Sequence, residues 1–344
     1  MDEVPGIEGI TVEAVRLGLG YSGLKLDTGH AGVCNSLLSE AALDCCEVLL
    51  GAGTPLWYCA ALGSVWYTAH VAAVACLCLY ALEVMGRNRP GWAGWWLGLA
   101  FLARPPVILA FPLSLALAWY TGHDWRARAR FLLLFVLGMA PALAGQAVYN
   151  GVRFGSPLEF GYRWMNSPGP LLERQTTWGQ FSLHFLPENA YTLLIRPPLV
   201  SFDPLCIMPD PWGMGLLFTC PALLLALPTL ISWHRTERAP WLVLGLWLAI
   251  LLVQLPSLLY FNTGSYQFGY RFALDWLPLG LLLVALGVER WPGAGRWPKW
   301  ALFLLLIVGV GIHAWGVGWM YPNFNGQPWR VQYVALLRHW LLRE

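Results

Sequence analysis

Long apolar runs that carry almost no charge dominate the sequence after residue 50. A helix that spans a bilayer needs roughly 20 apolar residues in succession, and several runs reach or approach that length. The sequence therefore predicts an all-α protein that crosses a membrane many times. The expected spanning helices cover residues 57–82, 131–149, 212–233, 240–261, 272–288 and 300–320.

The composition is typical of a membrane protein and argues against nucleic acid, and against metal bound by cysteine, as partners. Only 12% of the 344 residues are charged, and the mean hydropathy is +0.53, whereas soluble domains carry roughly 25% charged residues. The net charge of +2 comes without a basic block, so nucleic acid is not an expected partner. The eight Cys show no C-x-x-C spacing and read as small apolar side chains. We therefore expect no metal site on these cysteines and no cofactor, while dependence of the activity on a metal ion stays open.

The first 50 residues differ from the rest of the chain. They contain eight of the 19 Asp and Glu, none of the 21 Trp, and no run long enough to span a bilayer. Two interpretations stay open: a small exterior segment, or an unrelated or misread start in place of a longer native N-terminus. The chain is accordingly divided into an atypical segment (1–50), a transmembrane domain (51–320) and a C-terminal tail (321–344) for which an amphipathic helix is one alternative.

The segment FLARPPVILAFP (101–112) interrupts the longest apolar run, 92–120. Pro-Pro ends a helix because proline lacks the N–H donor and clashes with the preceding turn. The clustered Arg and Lys of the short connections belong in the cytoplasm by the positive-inside rule. They all fall on one side if residues 92–103 and 107–120 form two short helices that enter and return. Arg104 then lies at the outward tip of a broken helix pair, where it either binds a phosphate or snorkels and caps carbonyls.

Three segments rich in aromatic and charged residues lie on the outer side in this orientation. They are GTPLWYCAALGSVW (53–66), YNGVRFGSPLEFGYRW (149–164) and NTGSYQFGYRF (262–272), and a long loop with an interfacial helix at 179–195 follows the second. Aromatic faces suit sugar rings, and Arg suits phosphate. The alternative for any single residue is an interfacial aromatic belt. The candidate contacts to sugar or lipid are Trp57, Tyr149, Tyr162 and Tyr270.

The other polar residues of the apolar runs have simpler interpretations. His70 and His313 stand alone in apolar helices, where a packed, hydrogen-bonded imidazole is expected rather than a ligand. Asp275 is expected in the first turn of its helix, where a carboxylate suits the helix dipole. Glu83 and Arg87 are four residues apart and are predicted to pair on the surface.

Three segments resemble one family. GLAFLARPPVILAFPLSL (98–115) resembles the G-L-A-x-L-x-R-P-x segment of the bacterial GT-C glycosyltransferases, which include enzymes similar to protein mannosyltransferases and lipid A aminoarabinose transferases. YNGVRFGSPLEFGY (149–162) matches their more specific Y-N-x-x-R-F-G-S-P-x-E-F-G-Y segment. FGYRFALDWLPLGLLLVA (268–285) is similar to their later G-x-R-Y/F…P-x-L element. The resemblance covers roughly residues 51–320.

The resemblance implies a multi-pass enzyme of the plasma membrane. Such enzymes transfer a sugar from a polyprenyl-phosphate-linked donor on the extracytoplasmic side, with inversion at the anomeric carbon. Arg104 and Arg271 match positions that face the lipid phosphate, and Arg153 is a weaker third candidate. The family's catalytic acid lies in the first exterior loop. No matching acidic loop precedes residue 51, and the nearest acids are Asp44 and Glu47.

The catalytic base therefore has no matching position, and Glu159 and Asp203 are the fallback acids. We expect a hexosyl- or pentosyltransferase that is incomplete, with weak or no activity as it stands. A transporter or flippase of a lipid-linked or anionic solute stays open, because broken helices and buried Arg suit that function too. An inactive remnant that binds lipid or partner helices is the third alternative. The sequence does not define the acceptor.

Overall fold

The computed structural model describes residues 40–122, 124–161, 167, 169–202, 205–232, 240–264, 266–289, 291 and 296–324. The described chain is almost entirely helical, which confirms the all-α prediction. Its strands form one antiparallel hairpin, β1 (Leu199–Phe202) and β2 (Leu205–Met208), with Val200 opposite Ile207. The tail beyond residue 324 lies outside the described residues.

The helices follow one another with short connections. The N-terminal half contains α1 (Glu40–Ala52), α2 (Pro55–Leu62), α3 (Val65–Ala81, continued as a π-helical turn at Leu82–Arg87), α4 (Pro90–Ala103), α5 (Pro112–Thr121) and α6 (Trp125–Phe154). The second half contains α7 (Gly169–Trp178), α8 (Leu186–Leu194), α9 (Leu216–Thr219), α10 (Pro228–Ser232), α11 (Pro240–Leu259), α12 (Leu277–Glu289) and α13 (Trp297–Phe324). Within the described residues, 3-10 helices lie at Pro105–Ala110, Leu183–Phe185, Pro221–Ala226 and Arg271–Asp275.

Four helices of the described chain are long and apolar enough to cross a membrane. They are Val65–Arg87, Trp125–Phe154, Pro240–Leu259 and Trp297–Met320, and the pair Ala41–Ala52 and Pro55–Leu62, bent by 43°, would together make a fifth. In α6 and α13 only 22% of the most apolar window is buried within the protein. These two helices therefore present their apolar side chains to the surroundings, as expected where lipid takes the place of water.

Helix α12 is the centre of the core. Every residue from Leu277 to Val288 is buried, and α1, α11, α13 and the 3-10 helix Pro221–Ala226 surround it. With 13 residues it extends about 20 Å, which is less than the hydrocarbon thickness of a bilayer. Its position is therefore set by packing against protein, and the 3-10 turn Arg271–Asp275 that leads into it is also buried from Phe272 to Asp275.

Helix α1 joins the atypical first segment to the transmembrane domain. It runs from Glu40 to Ala52, and Cys46, Leu49 and Leu50 on it are fully buried in the core. The helix therefore continues across the change in composition at residue 50, and a boundary at that point would cut through it.

The predicted break at Arg104 is confirmed. Helix α4 ends at Ala103, Arg104 has the extended backbone angles φ −144° and ψ 100°, and a 3-10 turn begins at Pro105. The cause is local, because a residue before proline is excluded from the helical region and two prolines in succession remove two donors.

Other predicted helix bounds are wrong where proline or glycine divides a run. The predicted span 212–233 is divided into α9, the 3-10 helix Pro221–Ala226 and α10, because the second and third pieces begin at Pro221 and Pro228. The span 57–82 is divided at Gly63, which ends α2 with φ 60°. The helix expected over 179–195 is shortened to α8, which a 3-10 turn precedes.

Helices α4 and α6 pack against each other through glycine. A β-carbon at Gly94 would collide with the backbone carbonyl of Phe135, and one at Gly138 would collide with the carbonyl of Gly91. The two backbones are therefore as close as they can be, in the manner common between membrane helices. This contact fixes α4, and with it the position of the Arg104 break.

We expect Gly94→Ala to destabilise the protein, because overpacking of a tight contact costs about 1–3 kcal/mol. Gly145→Ala is the matched control: Gly145 lies in α6 with nothing within 4 Å of its added β-carbon. It should leave stability unchanged or raise it by up to about 1 kcal/mol through helix propensity. Thermal unfolding of both variants in one detergent compares them, and equal transition temperatures would contradict the proposed packing.

Candidate functional site

The ring of Phe272 is surrounded by three nitrogen-bearing side chains from different parts of the chain. The guanidinium carbon of Arg104 lies 5.4 Å from its centroid and that of Arg271 lies 5.3 Å away. The imidazole of His70 lies 6.0 Å from it, centroid to centroid. Together with Asp275, these residues are called the Phe272 cluster. Helix α3 supplies His70, the α4 break supplies Arg104, and the 3-10 turn Arg271–Asp275 supplies the rest.

Asp275 is the ionic centre of the cluster. Its side chain is only 1% exposed. Arg104 donates from Nε to Oδ1 at 3.1 Å and from Nη2 to Oδ2 at 2.9 Å, which is the bidentate geometry of a strong charge-assisted pair. His70 Nδ1 lies 3.0 Å from the same Oδ1. The carboxylate therefore has the partners that a buried charge requires.

Arg271 has a different environment. Its guanidinium lies over the ring of Tyr67, 5.1 Å from the centroid, and over Phe272. Among the described residues, no side chain or carbonyl accepts a hydrogen bond from this guanidinium, and its Nε is buried without a partner. The backbone N–H of Arg271 donates to Gln267 Oε1 at 3.0 Å, so the main chain is held while the charged group is left open.

The cluster therefore carries an excess of positive charge. With His70 neutral, one carboxylate faces two guanidinium groups, and Asp275 is engaged with Arg104. A buried or half-buried charge without a counterion is costly unless a ligand supplies one. Asp275 pairs with Arg104 and His70, and no ion pair joins it to Arg271 within the described part of the chain.

Two tyrosines attach the loop before Arg271 to helices α2 and α3. The hydroxyls of Tyr58 and Tyr67 both donate to the backbone carbonyl of Tyr266, Tyr58 at 3.2 Å. Tyr266 has φ 57°, a left-handed conformation that is uncommon for a residue with a side chain. Such a conformation persists where the surroundings impose it, and it is frequent at binding sites. Tyr67 thus links this loop to the guanidinium of Arg271.

The structure brings together some of the predicted site residues. Arg104 and Arg271 both belong to the Phe272 cluster, and Tyr270 is fully buried with its ring edge-on to Phe272 at 5.8 Å. Trp57 is half-buried on α2, beside Tyr58. Among the predicted contacts, Tyr162 and the fallback acid Asp203 lie outside the described residues.

The remaining predicted residues lie on α6 and just after it. Arg153 and Tyr149 form a hydrogen bond with each other on the exposed surface of α6, so they do not join the cluster. Glu159 accepts a hydrogen bond from the Gly161 N–H at 3.0 Å. Its neighbour Phe160 packs edge-on against Phe101 of α4 at 6.1 Å, which places this loop beside the end of α4, one turn before Arg104.

Sequence reasoning undervalued two residues of the cluster. The prediction that Asp275 serves the dipole of its helix is wrong, because α12 begins only at Leu277 and the carboxylate pairs with Arg104. His70 is packed and hydrogen-bonded as expected, but its partner is a carboxylate. The location of both residues in apolar segments could have indicated their role, because ionisable residues there generally mark functional sites and generally have a partner.

A second ionic cluster lies at the other end of α3. Glu83 accepts from Arg87 at 3.1 Å and from Arg89 at 2.6 and 2.7 Å. The predicted Glu83–Arg87 pair is therefore confirmed, but its predicted place on the surface is wrong, because Glu83 is buried. Glu83 follows His70 by 13 residues, or about 20 Å along a helix. The two clusters therefore lie near opposite ends of one potential spanning helix.

We expect Asp275→Asn to lower the free energy of unfolding by about 3–5 kcal/mol, the cost of removing one partner from a buried ion pair. The control is Glu188→Gln, which breaks the exposed pair between Glu188 and Arg174 and should cost about 0–1 kcal/mol. Chemical denaturation in detergent, followed by circular dichroism, measures both. Similar losses in the two variants would show that Asp275 does not hold the cluster together.

Comparison with known families gives one partial match. Residues 2–79 match the model of the family DUF4213, whose description is "Putative heavy-metal chelation". The match covers less than a quarter of the chain and does not establish membership of that family. Neither the curated proteins nor the solved structures contain a match to this chain. Among the described residues, no three His, Cys, Asp or Glu side chains come together in a way that could hold a metal ion.

Proposed function

We propose that the chain is a membrane glycosyltransferase of the GT-C type that uses a polyprenyl-phosphate-linked sugar on the extracytoplasmic side. The observation that carries the proposal is the open guanidinium of Arg271 next to the Arg104–Asp275 pair. A lipid-linked donor offers one phosphate at the membrane surface and an apolar chain for the bilayer. That combination suits a cationic cluster in a protein with lipid-facing helices.

Arg271 is the main phosphate ligand in this proposal. Arg104 already donates from its Nε and Nη2 to Asp275, so it acts on a second anion mainly through its charge. The Nε of Arg271 is buried without a partner, and the two terminal amino groups of its guanidinium, which no described residue bonds, can bind two phosphate oxygens. Arg104 then adds charge, and Asp275 keeps it in place.

During sugar transfer, the positive charge of Arg271 and Arg104 contributes most in the transition state. An acceptor hydroxyl attacks C1 of the sugar, the bond from C1 to the phosphate oxygen breaks, and the lipid phosphate leaves with an additional negative charge. Donors and cations that are already in place stabilise such a charge without reorganisation. Tyr67 and Phe272, which lie against the Arg271 guanidinium, keep water away from it and strengthen its field.

The description of the matched family offers a heavy metal as an alternative ligand. Soft metals are bound by thiolates and imidazoles, and five cysteines lie in the described part of the matched range. None of them is part of a group of three potential ligands among the described residues. The phosphate proposal is therefore preferred.

A transporter or flippase for the same lipid would bind the donor without cleaving it. Release of sugar from the lipid, measured beside binding, separates that function from a transferase. The proposed orientation is supported by the cations at the Glu83 end of α3, since cytoplasmic segments are enriched in Lys and Arg.

The orientation predicts that the tip of the α4 break faces the outside. A cysteine at Pro106, in a variant without the native cysteines, should react with an impermeant thiol reagent in intact cells. A cysteine in place of Arg126, an exposed residue in the first turn of α6, should react only after permeabilisation. The reverse pattern would reject the orientation and place the phosphate site on the cytoplasmic side.

We expect Arg271→Gln to weaken binding of undecaprenyl phosphate about 10-fold or more, since a hydrogen bond to a charged group contributes about 1.5–3 kcal/mol. Arg271→Lys keeps the charge but loses the bidentate geometry of the guanidinium, so its affinity for undecaprenyl phosphate should lie between those of the wild type and Arg271→Gln. Arg153→Gln is the matched control, because Arg153 lies on the exposed surface of α6, and it should bind like the wild type. Binding is measured by titration of detergent-purified protein that is shown to be folded at the same temperature. Unchanged affinity of the Gln variant would refute the proposal.

A further inference from the structure

The side chain of His70 is only 1% exposed in the Phe272 cluster, and only its Nδ1 is paired, with Asp275. Asp275 as a carboxylate only accepts hydrogen bonds, so the Nδ1 that lies 3.0 Å from its Oδ1 must carry the proton. In the neutral imidazole Nε2 is then a lone-pair acceptor. No described residue forms a hydrogen bond with Nε2. The structure thus fixes which nitrogen of His70 can take up a proton.

The other histidine of the apolar helices provides a comparison. His313 Nδ1 lies 2.9 Å from the carbonyl of Gly309, one turn earlier on α13, which gives the same tautomer. Its ring packs edge-on against Phe268 at 5.3 Å, and its Nε2 is buried without a partner. No described carboxylate contacts His313, so nothing there would stabilise an imidazolium. Of the two, only His70 has the carboxylate that a proton acceptor needs.

We propose that His70 is the general base of the transfer reaction, with Asp275 as the residue that positions it; this inference rests on the proposed function. The hydroxyl of the acceptor gives its proton to His70 Nε2 as its oxygen forms the new bond to C1. The bond between C1 and the phosphate oxygen breaks, and its electron pair stays on the lipid phosphate. Asp275 stabilises the imidazolium that forms, as a carboxylate behind a catalytic histidine does in general. The imidazolium then returns its proton to water or to the departing phosphate.

The charges of the cluster make this base dependent on the donor. Two guanidinium groups face one carboxylate before the donor binds, so an additional positive charge on His70 is disfavoured. A bound phosphodiester removes that excess, and its departure with a second negative charge removes more. His70 accepts the proton most readily when the donor is in place and the C1–oxygen bond is breaking. With His70 as the base, neither fallback acid, Glu159 or Asp203, is required for that role. We then expect transfer activity, in place of the weak or absent activity expected from the sequence alone.

His70→Asn tests the assignment with little change in structure. The Asn amide nitrogen can take the place of Nδ1 and keep the hydrogen bond to Asp275, whereas the acceptor at Nε2 is lost. We expect undecaprenyl phosphate to bind within 2-fold of the wild type. Transfer of sugar from undecaprenyl-phosphate hexoses and pentoses, measured as sugar released from the lipid, should fall by about 100-fold or more.

The matched control is His313→Asn, which removes the equivalent nitrogen of the other buried imidazole and should leave the transfer rate per folded molecule unchanged. A His70→Asn protein that transfers at the wild-type rate overturns the assignment. A wild-type protein that binds undecaprenyl phosphate but transfers no sugar from any of these donors also overturns it, while the phosphate site stands. A wild-type protein that does not bind the lipid overturns the proposed function itself.

A second measurement does not depend on transfer. In protein labelled with ¹⁵N-histidine, the resonances of His70 are assigned by their loss in His70→Asn. We expect a protonated, pyrrole-type Nδ1 and an unprotonated, pyridine-type Nε2 at neutral pH. The opposite tautomer, or an imidazolium in the protein without donor, would overturn the assignment of Nε2 as the acceptor of the proton.

Discussion

The bidentate ion pair between Arg104 and Asp275 is the contact on which the rest of the site depends. It joins two segments that are 171 residues apart in the chain, the break after α4 and the 3-10 turn before α12. The prolines after Arg104 prevent the helix from continuing, and at its end the Arg104 guanidinium reaches Asp275. The central helix α12 in turn holds Asp275 rigidly. Without Asp275, the break would be positioned only by the packing of α4 on α6, and His70 would lose its partner.

The arrangement is costly as a purely structural device. A buried ion pair often contributes no more to stability than apolar side chains of similar volume would. The guanidinium of Arg271 adds a further positive charge that no described residue neutralises. The same features are consistent with a binding site for an anion. Arg104 supplies charge from a fixed position, Arg271 supplies an open fork, and the two tyrosines on the Tyr266 carbonyl hold the loop that precedes it. The central claim is therefore that an anion completes the Phe272 cluster.

Local sequence predicted the features that local chemistry controls. The Arg104-Pro105-Pro106 break, the all-α class and the long helix at 240–261 followed from proline geometry and from apolar run length. The division of 212–233 was missed, although its prolines are visible, because a continuous apolar run outweighed them. The partner of Asp275 and the exposed position of Arg153 depend on packing between distant segments. Neither feature can be predicted from the periodicity or composition of one sequence. The presence of Asp275 and His70 in apolar runs did indicate, however, that each needed a partner.

The most direct test of the central claim measures contact between phosphorus and the nitrogens of Arg271. Protein labelled with ¹⁵N-arginine is reconstituted without phospholipid, so that added undecaprenyl phosphate is the only source of phosphorus. Dephasing of the ¹⁵N signals by ³¹P in solid-state NMR then reports arginines in contact with the phosphate. We expect dephasing of a guanidinium signal that disappears in Arg271→Gln and persists in Arg153→Gln. Saturation with the lipid without dephasing of the Arg271 signal would contradict the claim that an anion completes this cluster.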